Sequence, residues 1–490
     1  MKTLKRGKTT EPFLLKWRLV RLTVRGRIGP RGPDFAMQDN LIQKYNIPGP
    51  RYTSYPTVPY WEQDSIDPEK WKATVERAFI ESNVSEGISL YIHLPFCESL
   101  CTFCGCHKRI TKRHDVESPY IDALLNEWSS YRRLFSTMPR IKELHLGGGT
   151  PTFFSPDNLK RLIDGIMQHA ALAEDYEWGL EAHPNNTSRE HLQTLYDLGF
   201  RRCSFGVQDY DPLVQKTINR VQPYERVRQV TDGAREIGYT SISHDLVFGL
   251  PHQTLANVID TINKTNQLLP DRLAFYSYAH VPWIKGTGQR GFSEEDLPRD
   301  EAKRSLYEAG KQLFSELGYI EIGMDHFALE TDSLYQSMVN RTLHRNFMGY
   351  TASKTQLMVG LGMSAIGDSW YAFAQNEKTV PEYETRANRG DLPVFRGHLL
   401  TDEDRLIRQH ILNIMCNFET SWAKPETQFS QLDECLQKLE EMKNDGLLRL
   451  EGNKLVVPEP ARPFVRNICM AFDLRLMRNA PETRIFSMTI

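Results

Sequence analysis

Four cysteines, Cys97, Cys101, Cys104 and Cys106, lie in the short run HLPFCESLCTFCGCHKR. The first three have the spacing C-x3-C-x2-C. Three thiolates so placed can each take one iron of a cube-shaped iron–sulfur cluster and leave the fourth iron open to a small molecule. Two other chemistries fit crowded cysteines less well. A disulfide framework suits small secreted chains, and this chain has 490 residues with only eight cysteines. Structural zinc usually takes two separated ligand pairs, and no second pair follows, although His107 could complete a zinc site on spacing alone. The remaining cysteines, Cys203, Cys416, Cys435 and Cys469, are scattered and read as small buried hydrophobes.

Further polar residues stand at the ends of β-rich runs, and those runs must position them. Strands are expected at 88–94, 141–147, 176–182, 202–208, 241–249 and 272–279, with amphipathic helices between them, two of which stop at Gly199 and Gly238. This alternation predicts a parallel sheet covered by helices. Six units are too few to close an eight-fold barrel, so an open, partial (β/α)6 barrel is expected. The cysteine loop follows the first strand. Glu181, Gln208 and Tyr278–His280 end later strands, and Asp245 lies within the fifth. The C-terminal strand edge is where such barrels gather their active sites. After the second strand comes Gly147-Gly148-Gly149-Thr150-Pro151, where missing side chains let the backbone approach a ligand. Read alone, it is also an ordinary tight turn.

Formal net charge is −2, which argues against a global nucleic-acid surface. No run approaches the roughly 20 apolar residues of a membrane span, and no secretory signal is evident. Reduced cysteines fit a cytoplasmic location. Residues 1–36 are basic, with Glu11 and Asp34 their only acids. They read either as a targeting segment or as a translated stretch upstream of a start at Met37. Their lack of serine favours the second, and disorder is expected. An arm is assigned to 37–87, the barrel and its extension to 88–395, and a mostly helical cover to 396–490. In the cover, a capping box at Thr401–Asp404, a helix ending at Gly446 and a hairpin turning at Glu451–Asn453 resemble a winged helix. Its second helix carries Asp433, Glu434, Glu440 and Glu441, unlike a helix that meets phosphates, so a lid is expected.

The cysteine cluster, GGGTP and Glu181 together resemble the radical S-adenosylmethionine (SAM) superfamily. The motifs RYTSYPT (51–57), YIHLPFCESLCTFCGCHKRIT (91–111), HLGGGTPT (145–152), FGVQD (205–209), INRVQ (218–222), DLVFGLPHQT (245–254), YAHVP (278–282), GMDHFA (323–328), LHRNFMGYT (343–351) and NICMAFD (467–473) narrow the resemblance to the oxygen-independent coproporphyrinogen III oxidases. It runs in order from about residue 38 to the C-terminus. Cys106 distinguishes this family from related heme chaperones and heme-degrading proteins, which generally lack C-x-C. Two departures stand out: His183 in EAHP, where many members have Asp, and Met348, where some have Gln.

The resemblance implies oxidative decarboxylation of two propionates of coproporphyrinogen III to the vinyl groups of protoporphyrinogen IX, driven by 5′-deoxyadenosyl radicals from SAM, in heme biosynthesis. It implies a 4Fe–4S cluster on Cys97, Cys101 and Cys104 and two SAM molecules. The first SAM would meet Tyr91, Gly148, Glu181 and Ile366. The second would meet Phe103, Gly149, Thr150, Gln208, Arg220, Asp245 and Ala279. Tyr91, Glu181 and Cys106 are the expected catalytic residues. A flavodoxin- or ferredoxin-type electron donor, no nucleic acid, no membrane and a monomer complete the expectation. Because the substrate carries four carboxylates, Arg51, His344 and Arg345 are candidate cations for it. Tyr52 and Tyr55 belong to an arm that would close the site.

Overall fold

The six β-rich runs form six adjacent strands: β1 (Ile88–Leu94), β2 (Arg140–Gly148), β3 (Ala171–Ala182), β4 (Arg202–Gln208), β5 (Ser241–Phe248) and β6 (Arg272–Ser277). Each is parallel to the next, and helices fill the crossovers, as a parallel sheet requires. A helix, α1 (Pro68–Ser82), precedes the sheet. Next come α2 (Glu117–Arg132), α3 (Pro156–Met167), α4 (Arg189–Asp197), α5 (Pro212–Thr217), α6 (Tyr224–Ile237) and α7 (Leu255–Gln267). Their sequences explain their bounds. Ser155 caps α3 by accepting from the Asn158 N–H, and Leu159, Leu162, Ile163 and Ile166 form its buried stripe. α6 stops at Gly238, whose φ of +116° suits glycine. This is a computed structural model and describes residues 40–62, 66–281, 289, 291–483 and 485–489; residues 45–490 form one unit. The basic segment 1–36 lies outside the described residues.

Strand alternation decides where chemistry can occur. Ile88, Leu90, Ile92 and Leu94 of β1 join Leu144, Leu146, Trp178, Leu180, Cys203, Phe205 and Ile242 in one core with residues of the covering helices. The intervening positions are polar or small. Those deeper in the sheet form a closed ionic layer. Ser89 donates to Glu143 at 2.9 Å. Arg202 and Arg272 pair with Glu177, and Arg272 also pairs with Asp332 at 2.6 Å. Burial alone would raise the Glu177 carboxyl, but Arg272 and Arg202 outweigh it and hold it at about 2. Glu177 and Asp332 are met by Arg202 and Arg272, and Glu143 is held by the Ser89 and Thr351 hydroxyls, so this layer serves as a floor.

The sheet exceeds the expected six strands. β7 (Ile320–Gly323) and β8 (His326–Ala328) follow α8 (Asp300–Glu316), and β8 pairs antiparallel with β6. β9 (Met358–Leu361) runs parallel to β1 on its other side, followed by antiparallel β10 (Ile366–Asp368), β11 (Ala372–Asn376) and β12 (Val394–Leu399). The twelve-stranded order is β12-β11-β10-β9-β1-β2-β3-β4-β5-β6-β8-β7. With β1 and β6 paired outward, the barrel stays open. These added strands are short, three to six residues each, so they lack a readable period. α9 (Val380–Asn388) lies between β11 and β12, and β12 runs across the 395/396 position assigned from sequence as the start of the cover.

The C-terminal part holds α10 (Asp402–Asn417), with the Thr401–Asp404 capping box formed, and α11 (Leu432–Asn444). Three short strands, 419–421, 454–456 and 449–450, complete the winged-helix-like arrangement.

Candidate active site

The cysteine loop leaves β1 at Leu94 and is held from two sides. On one side, Arg109 N–H donates to Pro95 O and Thr111 N–H to Cys97 O, both at 2.9 Å. On the other side, Thr102 N–H donates to Ile218 O at 3.0 Å and Asn219 donates to Leu100 O at 2.8 Å. The INRVQ segment is therefore the cradle of the loop. No cysteine is in a disulfide. The Cys97 thiol lies 3.3 Å from the Thr150 hydroxyl, and burial pushes its pKa up to about 11. Arg220 reaches Cys101 Sγ at 3.7 Å and donates to Gly206 O at 2.6 Å, while its buried Nε has no partner. A hydrogen bond from Cys106 lowers Cys104 to about 6, with Lys108 helping, and the same bond raises Cys106.

These residues fit an iron–sulfur cluster. Three thiols sit on one loop, unbridged, beside a guanidinium with a free buried donor. Among the described residues, no three His, Cys, Asp or Glu side chains gather as a site for a single metal ion. A zinc centre needs such convergence, whereas a cluster takes one thiolate per iron. His107 belongs to no such gathering among the described residues, and its backbone carbonyl accepts from His93 Nε2 at 2.9 Å.

Above the ionic floor the inward positions build a second, polar ring. Because His93 Nε2 donates to a carbonyl, and burial lowers the imidazole to about 4, its Nδ1 accepts from the Tyr91 hydroxyl at 3.1 Å. The Tyr91 oxygen keeps its acceptor capacity. Tyr91 also lies beside His145 in the sheet register, and the two rings stack. Glu181 has a 48% exposed side chain and contacts His145 Nε2 at 3.4 Å. Glu181 also accepts from Gly148 N–H at 3.3 Å. Burial works to raise this carboxyl, but His145 and Gly148 win and hold it below the usual glutamate value. Asp245 accepts from Ser204 at 2.6 Å, and burial raises it to about 6, with Glu181 adding to the effect.

Glycine is required here by close approach. A Cβ on Gly149 would lie 2.5 Å from the Pro95 carbonyl, and one on Gly148 would meet the His93 ring at 2.7 Å. On Gly206 it would lie 2.6 Å from both Arg220 Nη2 and Gln208 Nε2. The structure therefore brings together Tyr91, Gly148 and Glu181 in one group and Cys97 with Thr150 in another. Arg220, Gln208 and Cys101 form a third. Phe103 packs against Val214, Ile218, Val247, Leu250 and Tyr278. Gln289 ties Phe103 O to Ala279 O, at 3.1 and 3.2 Å. Ile366 stands apart, two strands beyond β1, packed against the cluster of Trp61 and Phe373.

The sequence reading did not single out His93, His145, Gln222, Asn219 or Gln289. Gln222 donates to Gly206 O and Val207 O and so shapes the end of β4. For His93 and His145 a signal existed, since both alternate with apolar residues in strands otherwise buried. For Gln289 there was none. The proposed cations need revision. His344 is buried and lowered to about 3, chiefly by burial, so it is neutral. Arg51 is paired with Asp325. Arg345 is only 4% exposed. It donates to Arg51 O at 3.1 Å and lies 4.5 Å from the Tyr350 ring centre, and its buried Nε and Nη1 have no hydrogen-bond partner. His183 is lowered to about 2 by burial and by Arg220, so it leaves the Arg220 charge uncompensated. Met348 occupies the turn of the hairpin 344–351, where its N–H donates to Asn346.

Comparisons with known proteins agree with this geometry. Residues 91–265 match the model of the radical SAM superfamily. The oxygen-independent coproporphyrinogen III oxidase of Helicobacter pylori J99 is 38% identical over 443 residues, covering 89% of this chain and 96% of that protein. The Escherichia coli K12 enzyme of the same name is 36% identical, covering 90% and 96%. The solved structure of coproporphyrinogen III oxidase from Escherichia coli, described as a radical SAM enzyme, superposes with a TM-score of 0.81 at 34% identity, covering 86% of this chain and 97% of that one. With a three-thiol loop at the open edge of a partial barrel and relatives this similar along nearly their whole length, the chain belongs to the oxygen-independent coproporphyrinogen III oxidase family of radical SAM enzymes.

Proposed function

We propose that this protein removes two propionate carboxyls of coproporphyrinogen III as CO2 and leaves the vinyl groups of protoporphyrinogen IX, without oxygen, in heme biosynthesis. The observation that carries the reading is the meeting of the three-thiol loop with Tyr91, Glu181, Asp245 and Arg220 at one strand edge. When bound, the cluster and SAM supply a carbon-centred radical able to take hydrogen from a propionate β-carbon. Cys97, Cys101 and Cys104 hold the cluster. The Tyr91 oxygen accepts from a SAM amino group, and Glu181 accepts from ribose hydroxyls. Arg220, left without an acid by His183, grips a carboxylate. A second SAM would be held by Phe103, Gly149, Thr150, Gln208, Arg220, Asp245 and Ala279. Ile366 is kept as an apolar contact of the first SAM.

Tyr276 links this ring to the arm. Burial raises its hydroxyl, and Asp245 and Glu181 act on it together with Asp325 and Arg51. Arg345, with two unpaired donors, is the group proposed to receive a substrate carboxylate. The segments 37–87, 88–395 and 396–490 are taken as arm, barrel and cover. The working form is taken as a cytoplasmic monomer; among the described residues no helix is long and apolar enough to cross a membrane.

An anaerobic assay with reconstituted enzyme tests the reading. The expected yield is two CO2 and two 5′-deoxyadenosines per porphyrinogen, and absence of vinyl product sinks it. Cys106→Ser is expected to keep cluster iron near normal while vinyl formation falls. Loss of the cluster in that variant would instead make Cys106 a ligand.

A further inference from the structure

The cleavage of SAM consumes an electron that the chain has no internal means of supplying, so an external carrier has to reach the cysteine loop. One exposed face meets that need. Arg109 and Ile110 form a two-residue strand that pairs parallel with Phe96–Cys97, in register with the ligand Cys97. Adjacent strands lie about 4.8 Å apart, so this surface is one strand away from a cluster ligand. Lys108 donates to the carbonyls of Cys104 and Cys106, at 3.4 and 3.2 Å.

The same face is cationic. Lys108, Arg109, Lys112 and Arg113 follow one another in the run, and only Arg113 has a carboxylate partner among them, Asp115. Lys378 and Arg396 join from another part of the fold. Together with Lys108 they act electrostatically on His107 and, after burial, lower its pKa. The acids nearby are few: Glu384 feels Arg109 without forming an ion pair, and Glu98 is exposed on the cysteine loop. Two large apolar side chains are exposed within this face, Ile110 at 43% and Phe395 at 49%, with Lys378 lying 5.0 Å from the Phe395 ring centre. Apolar contacts ringed by charges of one sign are the composition of a docking surface for an oppositely charged protein.

We infer that the face formed by Lys108, Arg109, Ile110, Lys112, Lys378 and Phe395 docks a small acidic one-electron carrier protein. The inference rests on the proposed radical SAM function. The step is an electron transfer only: the carrier is oxidised by one electron, the bound cluster is reduced by one, and no bond is made at the interface.

The test uses reconstituted holoenzyme, reduced or oxidised flavodoxin as the carrier, and the variants Arg109→Glu/Lys112→Glu/Lys378→Glu and Arg109→Gln/Lys112→Gln. Flavodoxin Kd, measured calorimetrically, is expected to rise about tenfold or more in the charge reversal and by less in the neutral variant. Wild-type binding should weaken between roughly 0.05 and 0.3 M salt, and the charge-reversed variant should lose that dependence. Cluster iron and dithionite-driven 5′-deoxyadenosine formation should stay at wild-type levels. An unchanged Kd overturns the assignment. So does a rise in porphyrinogen KM with no change in Kd, which would make this face a guide for the anionic substrate. Failure of the wild-type enzyme to form 5′-deoxyadenosine with dithionite would instead remove the proposed function.

Discussion

Arg220 shows how much a single residue depends on what its neighbours omit. Its guanidinium spans from the Cys101 thiol to Gly206 O, through space that a side chain at 206 would fill. Gly206→Ala places a methyl 2.6 Å from Arg220 Nη2 and Gln208 Nε2. Both are ends of flexible side chains, so the protein should fold, but Arg220 has to swing away from Cys101. The expected result is a loss of SAM affinity of about tenfold, or about 1.4 kcal/mol, matching Arg220→Ala, with iron content near normal. Calorimetric titration of SAM into the reconstituted variant checks this; wild-type affinity would show that Arg220 does not hold the ligand. The spacing of the cysteines was legible from sequence, and so was the strand-end place of Glu181. The neutral state of His344 was not, because it follows from burial.

At the scale of elements, one carboxyl among the contacts between the arm and the C-terminal helices is titratable in the acid range. Asp473 accepts from the Tyr52 hydroxyl at 3.0 Å and from the Leu476 N–H at 2.9 Å, and burial raises its pKa from 3.8 to about 6. A group raised in the folded state contributes stability that is full below its unfolded pKa and is lost as pH climbs through the folded one. Stability should therefore fall as pH rises from 3.8 to about 6, and a displacement of this size is worth roughly 3 kcal/mol. Asp473→Asn removes the charge; its carbonyl oxygen keeps the Leu476 N–H contact, and its amide N–H can donate to the Tyr52 hydroxyl in place of accepting from it. Its thermal midpoint should decline less over that interval than that of the wild type. An identical slope would mean that Asp473 does not govern this docking. Helix ends were readable locally, as Gly238 and the Thr401 capping box show. The strands β7 to β12 were not, because runs of three to six residues carry no distinguishing period.

Across the whole molecule, Arg466 closes the chain on itself. Its buried guanidinium donates to Pro50 O at 2.9 Å, Met488 O at 2.7 Å and Gly49 O, holding the start of the arm against the end of the chain. Burial pulls its pKa down to about 9, and it stays charged at neutral pH. Arg466→Met keeps the length of the side chain but orphans those carbonyls, at about 1–3 kcal/mol each where they stay buried. Limited proteolysis should then cut near residues 45–55 first, while the cluster absorbance of the reconstituted protein persists. Protection equal to wild type would show that the arm is held by other contacts.

The sequence by itself determined the three-thiol spacing, six parallel strands, and a polar inner face from the alternation of apolar and polar positions, because each follows from residues close together in the chain. Only the tertiary structure decided which charges remain free. Arg51 is taken up by Asp325, 274 residues away, while Arg345 keeps two donors unpaired and Arg220 keeps one. The cysteine loop shows the same division. Its ligands are local, but the cradle that holds it comes from residues 218–219, and the cationic face beside it gains Lys378 and Arg396 only through folding. Spacing along the chain specifies which atoms can bind a cluster; burial and long-range pairing set their charge and which solvent face lies against them.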